Sequence, residues 1–138
     1  MPKLPLPAEV DAFLREPNPA VIATLRRDGS PHTAATWYDW DGRRMLVNMD
    51  RSRLRLENMR HDPRVSLTAL RADESYRQVT VFGRVVEIVD DPELADIDRL
   101  SMRYTGRPHG GRGRDSVSAW IELERWYGWH GGSHWPHA

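Results

Sequence analysis

Three arginines alternate through Asn48-Met49-Asp50-Arg51-Ser52-Arg53-Leu54-Arg55, at the start of a stretch whose pattern predicts a short helix from Ser52 to His61. The positive end of a helix dipole disfavours cations, and acidic side chains ordinarily occupy the first turn. An anion would resolve the conflict. The free N–H groups of a first turn, the Ser52 hydroxyl and two or three guanidinium groups make a phosphate site. The alternative is a set of solvated arginines on a helix capped by Asp50 or Ser52. Spacing alone leaves both open.

The stretch His32 to Trp40 is the next place where chemistry can sit. In an extended chain His32, Ala34, Thr36, Tyr38 and Trp40 share one face, and Thr33, Ala35, Trp37 and Asp39 share the other. Small side chains at 33–36 would let a flat ring approach the backbone, with Trp37 or Tyr38 at its border. Core packing of half-buried aromatics explains the same pattern. Segment 107–114 (RPHGGRGR) is compatible with an RNA-binding element, a lid over an anionic ligand, or a plain surface loop. His130, His134 and His137 have helical spacing, but Gly131, Gly132 and Pro136 argue against a helix, and no acid accompanies them. No metal site is expected. Neither a Gly-x-Ser-x-Gly elbow nor a phosphate loop with Gly-Lys is present.

The elements that must position these residues are mostly strands. A helix is predicted over Ala8 to Arg15, where Val10, Phe13 and Leu14 form one stripe, and Pro17-Asn18-Pro19 ends it. Strands follow at 20–26, 32–40 and 44–49, separated by the hairpin signals Asp28-Gly29 and Asp41-Gly42. After the helix at 52–61 come strands at 64–71 and 77–89. Gly83 marks a bulge or bend in the second of these. Asp91-Pro92-Glu93 opens a helix through about Tyr104, and a last strand or strand pair spans 116–129. The order predicts a mainly β (α+β) fold, a closed or nearly closed antiparallel barrel of about six strands decorated by short helices. Residues 1–129 form its single domain, and 130–138 are expected to be a flexible, His-rich tail.

Composition narrows the partners. The 138 residues carry 20 Lys and Arg against 20 Asp and Glu, which speaks against a nucleic-acid partner. Lys3 is the only lysine, and arginine suits bidentate recognition of phosphate and carboxylate. The absence of cysteine excludes disulfides, thiolate zinc sites and cysteine nucleophiles. No apolar run reaches the length of a membrane span, and the first residues lack the apolar core of a signal peptide. A soluble, cytoplasmic protein without a membrane partner is predicted. A core this small makes burial by dimerisation unsurprising.

Several segments carry a family likeness by their order and spacing. They are Ala23-Thr24-Leu25-Arg26-Arg27-Asp28-Gly29-Ser30-Pro31, Thr36-Trp37-Tyr38 before Asp41-Gly42, and Arg53-Leu54-Arg55 before Asn58-Met59-Arg60-His61-Asp62-Pro63-Arg64-Val65. Val81-Phe82-Gly83-Arg84-Val85 and Tyr104-Thr105-Gly106 complete the set. With these the sequence resembles the pyridoxamine 5'-phosphate oxidase-like FMN-binding split-barrel superfamily from about Ala20 to Tyr127. Within it, the chain is most similar to the small F420-dependent (deazaflavin-dependent) oxidoreductases of actinobacteria. The resemblance implies a homodimer with its cofactor sites at the subunit interface. It implies phosphate binding at Arg53 and Arg55, with Arg51 beside them, and a ring lined by Thr33, Ala34, Ala35, Thr36 and Trp37 up to Tyr38. It places Asn48 and Ser52 near the ribityl-phosphate, and Gln78 in contact with cofactor, reaching the partner's site. The implied function is hydride transfer from reduced coenzyme F420 to a small unsaturated organic substrate. An FMN-dependent oxidase or reductase, and a non-catalytic cofactor-binding or storage protein, are the alternatives. No catalytic residue is marked; Tyr38, Tyr104 or water can supply a proton.

Overall fold

The computed structural model describes residues 1–130 and 132–136. Helix α1 (Ala8–Arg15) is followed by β1 (Ala20–Leu25), β2 (Pro31–Thr36), β3 (Asp39–Trp40) and β4 (Met45–Asp50). Then come α2 (Leu54–His61), β5 (Arg64–Arg71), β6 (Glu74–Asp90), α3 (Ala95–Thr105), β7 (Ser116–His130) and β8 (Ser133–His134). All pairings between these strands are antiparallel, in the order β2-β1-β5-β6-β7-β4-β3, with β8 on β7. Six longer strands make the expected barrel, and two strands of two residues are additional. Three short helices decorate it.

The sheet closes in an unusual way. Its two edges, β2 and β3, are consecutive in the chain. Segment 32–40, expected as one strand, therefore breaks in two. Pro31 to Thr36 pairs with β1, while Asp39 and Trp40 pair with β4. Trp37 and Tyr38 carry the backbone across the seam, so a covalent crossing takes the place of a hydrogen-bonded ladder. Burial drives the break. Tyr38, Asp39 and Trp40 are all buried, which strict alternation forbids. The Tyr38 hydroxyl accepts from Asn18 Nδ2 at 3.1 Å and donates to the Glu16 carbonyl at 3.3 Å. Around it, Val10, Phe13 and Leu14 of α1 join Met45, Val47, Val117 and Ile121 in the main core.

Both Asp-Gly turns form, with Gly29 and Gly42 at φ of 84° and 91°. Gly83 sits at a register shift between Phe82 and Gly83, where β6 bends along β7. A Cβ there would collide with the Glu122 carbonyl oxygen, a backbone atom that cannot swing aside. Gly83→Ala is expected to cost about 1–3 kcal/mol of stability, the usual penalty of overpacking. Urea denaturation measures it, and an unchanged midpoint would show that β7 yields.

Helix α3 begins later than expected. Asp91 is not its first-turn neighbour but a detached cap: its Oδ1 and Oδ2 accept the N–H groups of Asp96 and Ile97, each at 3.1 Å. Leu94, with φ of 63°, makes the turn between them and buries its side chain beside Leu46, Ile97 and Leu100. Helix α2 likewise starts at Leu54, with Arg53 at the cap position, so Arg51 and Ser52 precede it.

The segment read as a tail continues the sheet. His130 ends β7, and Ser133–His134 folds back on it. Gly128 lets the Trp135 carbonyl come closer than any side chain would allow, and Trp135 packs edge-on against Phe13 at 5.7 Å. His137 of that segment lies outside the described residues. Among the described residues, no cluster of three His, Asp or Glu is placed to hold a metal, and no helix is long and apolar enough to cross a membrane.

Candidate active site

A cleft of about 510 Å³ opens beside the seam of the barrel. β1 and β2 contribute Ala20, Ala35 and Thr36; the crossing contributes Trp37; and β4 contributes Asn48. Arg53 and Arg55 come from the start of α2, and Ile97, Leu100 and Tyr104 from α3. The loop after α3 adds His109 and Arg114. The volume suits a cofactor-sized organic ligand.

One end of the cleft is aromatic. Trp37 stacks on Tyr104, with ring centroids 5.3 Å apart at 11°, and His109 meets it edge-on at 6.3 Å. Arg103 holds this end together. Its guanidinium donates to the carbonyls of Arg15 at 2.8 Å, Glu16 at 3.1 Å and Tyr38 at 3.0 Å, and lies 3.4 Å from the Asp39 carboxylate. Thus α3 is tied to the C-terminus of α1 and to the crossing. The Tyr104 hydroxyl donates to the Asn18 carbonyl at 2.7 Å.

The other end is cationic. Arg53, Arg55 and Arg114 converge there, and none pairs with a carboxylate among the described residues. The Nε atoms of Arg55 and Arg114 are buried without a hydrogen-bond partner. Burial, and then the charges of Arg53 and Arg114, pull the Arg55 pKa down from its ordinary value. A protein seldom leaves buried guanidinium N–H groups unpaired, because each forfeits its hydration. This donor set fits an anionic oxygen ligand such as phosphate and has no place for a cation.

Of the residues singled out in the sequence, Ala35, Thr36, Trp37, Asn48, Arg53, Arg55 and Tyr104 line the cleft. The others lie elsewhere. Thr33 and Ala34 stand further along β2, opposite Ala23 and Ile22. Arg51 turns away: its Nε and Nη2 donate to Asp115 at 2.9 Å and Asp90 at 2.6 Å. The Ser52 hydroxyl donates to Asp50 at 2.9 Å. Gln78 lies on β6 between Leu70 and Trp129. Tyr38 is sealed in the core, and burial pushes its phenol pKa far up. Arg103, His109 and Arg114 carry no local signal of a role. The glycine-rich context of the last two was the one hint.

The barrel is split at one seam, with an aromatic wall and a cationic end in one cleft. The chain belongs to the pyridoxamine 5'-phosphate oxidase family, whose sequence model matches residues 6–130. It is similar in structure to an F420 reductase, with a TM-score of 0.79 and 29% identity over 88% of this chain and 98% of that one. A conserved hypothetical protein of Mycobacterium tuberculosis matches with a TM-score of 0.68 and 27% identity, over 93% and 86% of the two chains. HupZ of Group A Streptococcus shares the fold alone, at 0.67 and 15% identity over 94% and 98%. No curated protein matches the chain in sequence.

Proposed function

We propose that the chain is a homodimeric, cytoplasmic oxidoreductase that uses reduced coenzyme F420 against a small unsaturated organic substrate. The observation that carries this reading is the two-ended cleft, cationic at Arg53 and Arg55 and aromatic at Trp37 and Tyr104. The similar F420 reductase supports it. Bound there, the reduced deazaflavin would supply a hydride as two electrons in one step. The protein's own residues bind and orient. Arg53 and Arg55 hold the phosphate, which fixes how far the ring reaches toward Trp37. The small side chains of Ala35 and Thr36 leave the backbone of β2 open to a flat ring. Burial raises the Tyr104 pKa and its hydroxyl donates to the Asn18 carbonyl, while Tyr38 is sealed in the core, which favours solvent water as the source of the proton. Gln78 stands outside the chain's own cleft and would serve a second copy's site in the homodimer.

The family match keeps FMN as the second reading, since a phosphomonoester suits the same two guanidinium groups. Titration of the purified protein with F420 and with FMN separates the two. Micromolar or tighter binding of F420 without FMN binding is expected, and the reverse overturns the choice. Reduced F420 should then be oxidised in the presence of a panel of enones and quinones. Binding without any oxidation would leave a carrier rather than an enzyme.

A further inference from the structure

The glycine-rich segment 107–114 plays no part in that reading, yet two of its side chains return to the cleft. The segment is tethered to α3 at the Thr105 hydroxyl, which meets the Arg107 backbone, and at one carboxylate oxygen of Asp98. Asp98 Oδ1 accepts the His109 N–H at 3.0 Å and Arg112 Nη1 at 2.6 Å. Beyond that tether the chain delivers Arg114 to the cationic end. Its Nη2 donates to Asn48 Oδ1 at 3.0 Å, while its Nε is buried with no partner.

Asn48 is not free to present anything else. Its Nδ2 faces Ser116 Oγ at 2.9 Å, Ser118 Oγ at 3.1 Å and the Asp91 carboxylate at 3.4 Å. With the amide nitrogen turned inward, the amide oxygen accepts from Arg114 Nη2 and also meets the Ser116 hydroxyl at 3.1 Å. The buried network therefore aims a cation into a place where two like charges already stand. Such an arrangement is unfavourable unless something anionic completes it. Arg55 repeats the defect from the opposite element, with its own Nε buried and unpartnered. Two half-buried guanidinium groups on one cleft each have an Nε without an acceptor, and one anionic group between them would serve both.

We propose that Arg114 is a third guanidinium ligand of the cofactor's phosphate, carried in by the glycine-rich segment and aimed by Asn48. This rests on the reading that the cleft takes a phosphorylated flavin-type cofactor. Asn48 is then a positioning residue that acts through Arg114. The segment also carries His109, so the same tethered loop contacts both the phosphate end and the aromatic end of the ligand.

The test compares binding of FMN with riboflavin, of F420 with its phosphate-free ribityl deazaflavin, and of inorganic pyrophosphate, to the wild-type protein and to Arg114→Gln and Arg114→Lys, by calorimetry. Gln keeps a donor for Asn48 and loses the charge; Lys keeps the charge and loses the fork. Thermal melts confirm that both variants fold. Arg114→Gln is expected to weaken whichever phosphorylated cofactor the wild type binds by about 10- to 100-fold, with that cofactor's phosphate-free parent unchanged and Lys intermediate. Equal losses for the cofactor and its phosphate-free parent would show that Arg114 only shapes the cleft, and no loss would show that it is a bystander; either overturns the proposal. If neither cofactor binds but pyrophosphate binds in an Arg114-dependent way, the anion site stands and the cofactor reading falls. If pyrophosphate does not bind either, both fall.

Discussion

Replacing Arg53 and Arg55 together by alanine is expected to weaken binding of the phosphorylated cofactor by about 2–5 kcal/mol, the loss of charge-assisted hydrogen bonds from two guanidinium groups. The fold should survive. Arg53 is exposed and makes no ion pair, and Arg55 has a single long contact, 3.4 Å from Nη2 to the Asn48 carbonyl. The Arg55 charge is half-buried and opposed by Arg53 and Arg114, so its removal relieves the ligand-free protein. The double variant should therefore melt at the wild-type temperature or slightly above it. Saturating cofactor should raise the wild-type melting temperature and leave the variant's unchanged, because only a ligand that binds the native state shifts the transition. A variant that is unfolded by circular dichroism would make the two arginines structural and would remove the basis of the proposed function. Stability given up at the site that binds is the familiar pattern at functional sites, and here the sign of the melting shift tests it.

The comparison of Arg51 with Arg53 and Arg55 shows how much of the site the sequence could carry. All three break the same rule at the same helix start, and nothing local separates them. Two acids far along the chain do: Asp90 and Asp115 take Arg51 out of the cleft. Arg114 is the converse, a long-range partner joined to the group through β7, which pairs with β4 from Asp50 to Met45. Features set by local backbone chemistry were legible. The Asp-Gly turns, the bend at Gly83 and the apolar stripe of α1 each follow from a few neighbouring residues. The break after Thr36 was not, since it depends on where the two edges of the sheet end up. The start of α3 was misread for a related reason. Asp91-Pro92 is a good local helix opening, but Asp91 is held at β7 by its own N–H, which donates to the Ser116 carbonyl at 2.9 Å. Helix α3 therefore begins beyond the Leu94 turn.

Asp91 is consequently the residue whose loss should do most damage to the fold around the site. It is buried, and its carboxylate accepts from the N–H groups of Asp96 and Ile97 and from the Ser116 hydroxyl at 2.8 Å. Asp91→Ala leaves two backbone donors at the start of α3 and the Ser116 hydroxyl without this acceptor. The expected cost is about 2–4 kcal/mol, from a lost helix cap and buried hydrogen-bonding groups left unpaired. That corresponds to a fall of roughly 5–15 °C in melting temperature for a domain of this size. Asp91→Asn should fall between the two, because its amide oxygen still accepts one of the helix N–H groups while its NH2 faces the Asn48 donor. The binding consequence differs in kind from that of the arginines. Helix α3 carries Ile97, Leu100 and Tyr104 to the ring end, and the Asn48 network carries Arg114 to the phosphate end. Loosening Asp91 disturbs both, so affinity for the phosphorylated cofactor that the protein binds and for that cofactor's phosphate-free parent should fall together, whereas the double arginine variant should discriminate between them. A phosphate-selective loss in Asp91→Ala, with the melting temperature unchanged, would mean that α3 is held by other contacts and that Asp91 serves the phosphate end alone.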